Sequence, residues 1–351
     1  MEPMKSHTLW QGMIPPQYLF ANRRFAGIAL EPPDHEPGSW IGAGKALFDS
    51  ESEQFLLTAR PRRAEGGVRG YAADIYRSRD GVKFDQVVSL TKEQVTELSS
   101  LAVHSIEGTQ LMKSPLTGKW HLYISVDTGD EFVWGGLNWD TLLVTADSLE
   151  GPWTSHGLVV RRDQGYDATQ ARDSTIDIVD GRWMCLYKAL DGARNVRPAL
   201  ATSFDGITWK KHGVFTTDGE DRIQFISGSI FSGTGGPVFV GQEMQLSGEQ
   251  TDKSVVTYDK VKIGHGGGYA HFVAFHMDVR NMNLETIYRA LWTAESEYEH
   301  PEHPCLGYSS LVYDPFKNRM LMYIEALDPK LTRAIGLNET VERVLVYEMK
   351  M

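Results

Sequence analysis

Cysteine is scarce in this chain: only two, Cys185 and Cys305, stand far apart among 351 residues. Two distant thiols make neither a disulfide framework nor a zinc site. Cys185 lies in an apolar stretch and reads as a small buried hydrophobe. No apolar run reaches membrane-spanning length, and the opening MEPMKSHTLWQG has no apolar core of signal-peptide length. A reducing, cytoplasmic setting without a membrane partner is expected, or a secreted one if a leader has been removed. Basic excess is also missing. The formal charge is −11, which leaves no electrostatic footprint for nucleic acid and chiefly serves solubility. Helical signal is sparse. TKEQVTELSSLA (91–102) reads as one helix, with Thr91 as its cap and Glu93 in the first turn, and 327–337 holds at most one more turn.

What the chain has instead is glycine (34) and tryptophan (9), which suit short strands joined by tight turns. The stretch 171–209 shows the plan. Residues 174–179 alternate, Asp180-Gly181 is a type I′ hairpin signal, and 183–189 is apolar and aromatic. A third strand at 199–203 and a turn at Asp205-Gly206 follow. Versions of this unit begin at Trp40, Ile106, Ala171, Phe225 and Cys305, at irregular intervals longer than the about 40–50 residues of common propeller repeats. Long inserts at one rim account for that. The last copy has no fourth strand of its own. Residues 8–14, with Trp10 and Gly12, resemble Trp153…Gly157 and Trp209…Gly213 and are expected to supply it, leaving no open sheet edge. The expected fold is all-β: one domain over 1–351, a five-bladed β-propeller with blades at 40–90, 105–160, 170–216, 224–293 and 304–350. A pair of β-sandwiches is the alternative.

In such a ring the first strands line a central channel, and their starts meet the ends of the second strands at one rim. The starts carry Trp40, Lys45, His104, Glu107, Asp167, Arg172, Asp173, Gln224, Ser227, His303 and Tyr308. The ends carry Arg60, Arg62, Asp127, Lys188, Asp191, Gln242, Glu243, Glu325 and Asp328. Polar groups therefore converge where a merely structural repeat would be uniform. Glu107, just before a buried strand, is expected to be desolvated and raised toward general-acid duty, or else to be a solvated loop residue. Arg172 would keep Asp173 ionised, in the channel or as an ion pair between blades. Glu243 ends an otherwise apolar strand and lines the pocket or simply surfaces. Two carboxyls across a pocket are the minimum equipment for glycoside hydrolysis, about 5–5.5 Å apart for retention and about 6.5–9.5 Å for inversion. Trp134 and Trp139, in a glycine-rich loop, offer a flat face to a sugar ring or pack beneath their own loop. His265-Gly-Gly-Gly-Tyr269 lacks the strand-before, helix-after setting of a phosphate loop. His271, His276 and His303 lack metal-ligand spacing, and no cofactor is called for; a structural channel ion near His300 and His303 is the one such ligand left open. The Asp-Gly turns at 80–81 and 205–206 read as structural.

SFDGITW (203–209) and LEGPW (149–153) resemble habitual outer turns of the five-bladed β-propeller glycoside hydrolases, the superfamily of arabinanases, β-xylosidases and fructosidases. IEGTQLMKSPLTGKWHLYIS resembles the strand that bears the general acid in the arabinanase/xylosidase family (family 43), which maps the acid to Glu107. ARDSTIDIVDGRWMCLYKA resembles the Arg-Asp-Pro strand of the fructosidase family (family 32), which maps the transition-state stabiliser to Asp173, with Ser174 in place of proline. Where those families place an aspartate on the first inner strand, this chain reads WIGAGKALFD, so Asp34 or Asp173 itself would stand in. Counted in the fructosidase order, Glu107 becomes the nucleophile and the acid falls near Glu220 or Glu243. The resemblance implies a hydrolase of furanosides or pentosides. Its catalytic carboxylates would come from Glu107, Asp173, Glu243 and Asp34. Arg60, Arg172, Gln242, Asp127, Trp134, Lys188 and His303 would hold an oligosaccharide or glycoside. A sugar-binding propeller without activity and a metal-dependent lactonase are the alternatives from other classes.

Overall fold

The computed structural model describes residues 14–65, 69–129, 138–163, 165–193, 195–245, 270–301, 304, 308–333 and 339–351. These are nearly all β and form a β-propeller-like arrangement of antiparallel runs. After a short helix α1 (Pro16–Ala21) and strand β1 (Arg23–Leu30), the first run comprises β2 (Trp40–Gly42), β3 (Ala46–Asp49), β4 (Gln54–Arg62), β5 (Ala72–Ser78) and β6 (Asp85–Thr91). Helix α2 (Lys92–Ser99) then leads to β7 (Ser105–Lys113), β8 (Trp120–Asp127), β9 (Trp139–Ala146) and β10 (Thr154–Val160). The third run is β11 (Gln170–Val179), β12 (Arg182–Leu190), β13 (Val196–Ser203) and β14 (Lys210–Val214). A short β15 (Thr216–Thr217) precedes β16 (Gln224–Gly233), β17 (Gly236–Gln245), β18 (Ala270–Asp278) and β19 (Asn283–Leu291). The chain ends with β20 (Ser309–Asp314), β21 (Arg319–Leu327) and β22 (Glu342–Lys350).

Local chemistry explains these elements. Asp180 and Gly181 both take positive φ, 51° and 76°, as the type I′ turn between β11 and β12 demands. Thr91 caps α2 in a reciprocal capping box with Gln94. The two Asp-Gly turns are built alike. Asp80 accepts from the N–H of Val82 and Lys83, and Asp205 from those of Ile207 and Thr208. Each turn is then hooked by a tyrosine from the neighbouring run. Tyr323 on β21 donates to Gly81 O at 2.7 Å, and Tyr123 on β8 to Gly206 O at 2.6 Å. A Cβ at Gly206 would lie 2.8 Å from the Tyr123 hydroxyl, and φ there is +74°, so glycine is required twice over.

Inner strands β7, β11 and β20 are buried nearly throughout, whereas the outermost β10, β14 and β19 are half-buried or exposed along most of their length. Apolar side chains from successive runs meet between the sheets. Leu56 and Ile75 pack with Leu122 and Leu142, Tyr123 and Leu143 with Trp183 and Ala199, and Leu186 and Leu200 with Phe239 and Phe275. Phe272 and Val240 pack with Met320 and Tyr347, and Leu321 and Val344 return to Phe55 and Leu57 of the first run. The core is therefore a closed circuit of sheet-on-sheet interfaces. Inner strands are also bonded side by side: Gln110 to Ile176, Ser229 to Leu311, and Ser310 to Ala46.

One expectation is corrected. The strand that pairs with β22, in the place expected for 8–14, is β1, Arg23↔Met349 to Leu30↔Val344; residues 8–13 lie outside the described residues. Its bulge glycine is Gly27, preceded by Arg23-Arg24-Phe25-Ala26, with arginine four residues before it in place of tryptophan, so the Trp-x-x-x-Gly likeness pointed elsewhere. Among the described residues no helix is long and apolar enough to cross a membrane.

Candidate active site

Three inner strands lose their regularity at one level. The first run breaks between β2 and β3, where Ala43 has φ 53°. Pairing of β7 with β8 slips between Ile106 and Thr109. Pairing of β11 with β12 slips between Arg172 and Thr175, and Asp173 there has φ 55°. Bulges re-aim side chains, and a left-handed aspartate costs about 1 kcal/mol or more, a strain that concentrates at functional sites. Here the irregularities bring the backbone next to Glu107 against the Asp173 carboxyl: Gly108 N–H donates to Asp173 Oδ1 at 3.1 Å.

Around them lies a buried cluster of opposite charges. Glu107, 4% exposed, is ion-paired with Arg60, with Arg62 at 2.6 Å and with Arg172 at 3.8 Å. Asp173 accepts from the Tyr308 hydroxyl at 2.8 Å and has Arg172 and Lys188 at 3.6 and 3.7 Å. Arg60 also approaches Glu325, at 3.9 Å, and the Ala43 N–H donates to the same carboxyl. Glu342 lies beside these groups, bridged through Trp40 to β2. Aromatic faces hold the guanidiniums: Trp40 lies 4.4 Å from Arg62, and Trp139 lies 4.5 Å from Arg172. Lys45 donates to Ser227 Oγ, Gly228 O and Ser309 O at 2.7–3.1 Å, tying three inner strands together.

These neighbours push the carboxyls apart. Burial alone would raise Glu107, as the sequence led us to expect. The charges of Arg60, Arg62 and Arg172 outweigh it and pull the group down to about 2. Glu107 therefore has no proton to give near neutrality, which corrects the expectation of a raised, acid-like carboxyl. Burial raises Glu325 to about 7, with Glu107 adding to it against Arg60. Burial and the nearby Glu325 also raise Glu342 well above the ordinary carboxyl range. Burial brings Lys45 down to about 7 against the pull of Asp173 and Glu325. One buried cluster thus holds a carboxylate kept as an anion and a carboxyl poised at neutrality, a split suited to acid–base chemistry. The cluster is also costly. A buried ion pair is often no better for stability than an apolar replacement of equal volume, which points to a role beyond stability.

Of the residues singled out from sequence, Glu107, Asp173, Arg60, Arg172 and Lys188 come together here. Glu243 does not: it is buried on β17 and pairs with Arg289 of β19 at 2.7 Å. Gln242 is buried beside it, opposite Ser227. Asp34 caps a turn, accepting from Glu36 N–H at 3.1 Å. Asp127 caps the end of β8, accepting from Gly129 N–H at 3.0 Å, with Arg69 at 3.8 Å. Trp134, His303 and the segment 265–269 lie outside the described residues. Glu325, counted from sequence only as a rim residue, and Glu342, which was not, are both members. The signal for Glu325 was Gly42-Ala43-Gly44 at the break between β2 and β3, a mark of close approach: a Cβ on Gly42 would overlap its carboxyl. Among the described residues no three His, Cys, Asp or Glu side chains group as metal ligands.

No family model and no curated protein matches the sequence. Solved structures do match it in fold. A family 117 glycoside hydrolase from the marine bacterium Zobellia galactanivorans superposes with a TM-score of 0.58 at 11% identity, over 93% of this chain and 90% of its own. A putative glycoside hydrolase from Parabacteroides distasonis gives 0.58 at 14% identity, covering 93% and 96%. The family 32 β-fructofuranosidase BmSUC1 of Bombyx mori gives 0.62 at 12% identity, over 95% of this chain and 63% of its own. At such identities the likeness is one of fold, and the fold that this chain shares is one solved in several glycoside hydrolases.

Proposed function

We propose that the chain is a glycoside hydrolase, that its antiparallel runs are the blades of a single five-bladed propeller, and that the hollow between them cleaves a furanoside or pentoside. The observation that carries the reading is the split of carboxyls around Arg60: Glu107 down to about 2 and Glu325 up to about 7. Glu325 holds a proton at mildly acidic pH and gives it to the departing oxygen. Asp173, steadied by Tyr308 and Gly108 N–H, meets the anomeric centre directly or through water. The two cases differ in the stereochemistry of the product. Glu107 does not transfer protons in this scheme; it gathers Arg60, Arg62 and Arg172 so that they face the sugar. The shared fold of known glycoside hydrolases supports the reaction class, and the β-fructofuranosidase among them supports the furanoside.

The test is a panel of nitrophenyl furanosides and pyranosides, assayed with and without chelator. Glu325→Gln should lose about 10²–10⁴-fold on a nitrophenyl substrate, the usual worth of a positioned acid. It should lose far less on a dinitrophenyl one, whose phenolate departs without a proton. Asp173→Asn should lose activity on both. Equal losses of Glu325→Gln on the two leaving groups would remove Glu325 from the acid's role. Activity abolished by chelator would favour a lactonase-type enzyme, and binding without turnover a sugar-binding propeller.

A further inference from the structure

Lys45 stands just ahead of β3, is 6% exposed, and directs all three hydrogens of its ammonium at oxygens of other runs. Ser227 Oγ and Gly228 O of β16 accept at 2.7 and 3.1 Å, and Ser309 O of β20 accepts at 2.8 Å. An ammonium has three donors and no acceptor, so this oxygen cage answers it in full. The cage is itself braced. Ser309 N–H donates to Ser227 Oγ at 3.2 Å, Ser309 Oγ to Ser227 O at 2.6 Å, and Thr175 Oγ1 of β11 to Gly228 O at 3.5 Å. Beside it lies a cavity lined from β3, β7, β11, β16 and β20, through Leu47, Gln110, Thr175, Ser229 and Leu311 as well as Lys45. One buried cation therefore gathers inner strands of three different runs.

Two residues upstream, one residue's backbone carries this anchoring to both carboxyls of the proposed reaction. The Ala43 N–H donates to the Glu325 carboxyl, and the Ala43 carbonyl accepts from Thr109 N–H at 2.9 Å. Thr109 follows Gly108, whose N–H holds Asp173. Lys45 N–H donates to Thr58 Oγ1 at 3.0 Å, and the Lys45 carbonyl accepts from Thr58 N–H at 3.1 Å. A Cβ on Gly44 would run into Thr58 O, so the segment lies flat against β4 without slack.

We propose that Lys45 is a positioning residue: its grip on Ser227, Gly228 and Ser309 fixes residues 42–45 and, through Ala43, the separation of Glu325 from Asp173, a role that rests on reading those two carboxyls as the reacting pair. Lys45 touches no sugar, because its hydrogens are all engaged below the site. It acts only on where the two carboxyls stand. Their separation governs the stereochemistry of the product, and a displacement of about 1 Å costs a reaction about 100-fold.

The test is kinetic, at about pH 6, below the value of about 7 to which burial lowers Lys45. Lys45→Met keeps the stem and removes the donors. Its kcat on a nitrophenyl glycoside should fall about tenfold or more while KM stays within about twofold. Lys45→Ala leaves the place of the stem empty beside the cavity. Ethylammonium should restore its kcat about threefold or more, and tetramethylammonium at equal ionic strength, with no hydrogen to donate, should not. Were neither variant to fold, Ser227→Ala, which removes one acceptor and keeps the lysine, should show the same split of kcat from KM on a smaller scale. Wild-type kcat in Lys45→Met, a loss carried by KM, or equal responses to the two ammonium ions would overturn the proposal and leave the hydrolase reading standing. A wild type that cleaves no glycoside of the panel would end both. Turnover indifferent to Glu325→Gln and Asp173→Asn would remove that pair, and with it what Lys45 positions.

Discussion

Glu107 and Glu325 share the guanidinium of Arg60 and yet lie on opposite sides of their ordinary value. That contrast has a consequence for folding as well as for chemistry. The folded chain holds the Glu325 proton more tightly than the unfolded chain does. Its stabilising contribution is full below 4.5 and is lost as pH rises to about 7. Glu107 has the opposite sign: its contribution is present above 4.5 and is lost as pH falls toward about 2. Glu325→Gln, with no proton to lose, should therefore show a flatter Tm than the wild type between pH 4.5 and 7. Parallel curves would mean that Glu325 titrates as an ordinary glutamate. Most of this cluster was legible from residues alone. Glu107, Asp173, Arg60, Arg172 and Lys188 stood at strand ends that one rim must gather. Glu342 did not, because it begins a third strand, where the repeat plan places no rim residue. The protonation of Glu107 was misjudged for a related reason. Burial is partly readable from an apolar run, but three arginines arriving from two other strands are not.

At the scale of the element, the Ser-x-Asp-Gly turns do two jobs. The aspartate holds the turn, and the glycine carbonyl accepts a tyrosine hydroxyl from the run before it. Tyr123→Phe and Tyr323→Phe should each destabilise the protein by about 1–2 kcal/mol, the cost of leaving a buried carbonyl unpaired. Their effects should add within about 0.5 kcal/mol, because the two hooks share no residue. Urea titration of the single and double variants measures both quantities. Unchanged midpoints would show that the hooks are ornamental. Strands and hairpins were legible here because their signals are local: alternation, Asp-Gly, a cap at Thr91. The closing strand was not, since β1 and β22 are joined by nothing nearer than the whole chain between them.

Across the whole molecule the runs are not held equally. A parallel bridge from Trp40 to Glu342 merges the last run with the first, and Gln170 with Trp139 merges the second with the third. The tyrosine hooks join the same two pairs. The run from β16 to β19 forms a sheet of its own with β15. Amide hydrogen exchange should therefore show β20–β22 protected together with β4 and β5, and β8 together with β12. The β16–β19 sheet should open independently and at lower free energy. Uniform protection in all runs would argue for a single unfolding unit.

The pairing of β1 with β22 also bears on how the protein comes into being. During synthesis the strand at Arg23–Leu30 leaves the ribosome roughly 300 residues ahead of its partner, Glu342–Lys350. Arg60 likewise waits for Glu325 and Glu342. Nascent chains stalled before Glu325 would own Arg60, Arg62 and Arg172 and neither of the two carboxyls raised beside them, so the charge balance of the cluster is complete only once the last run has formed.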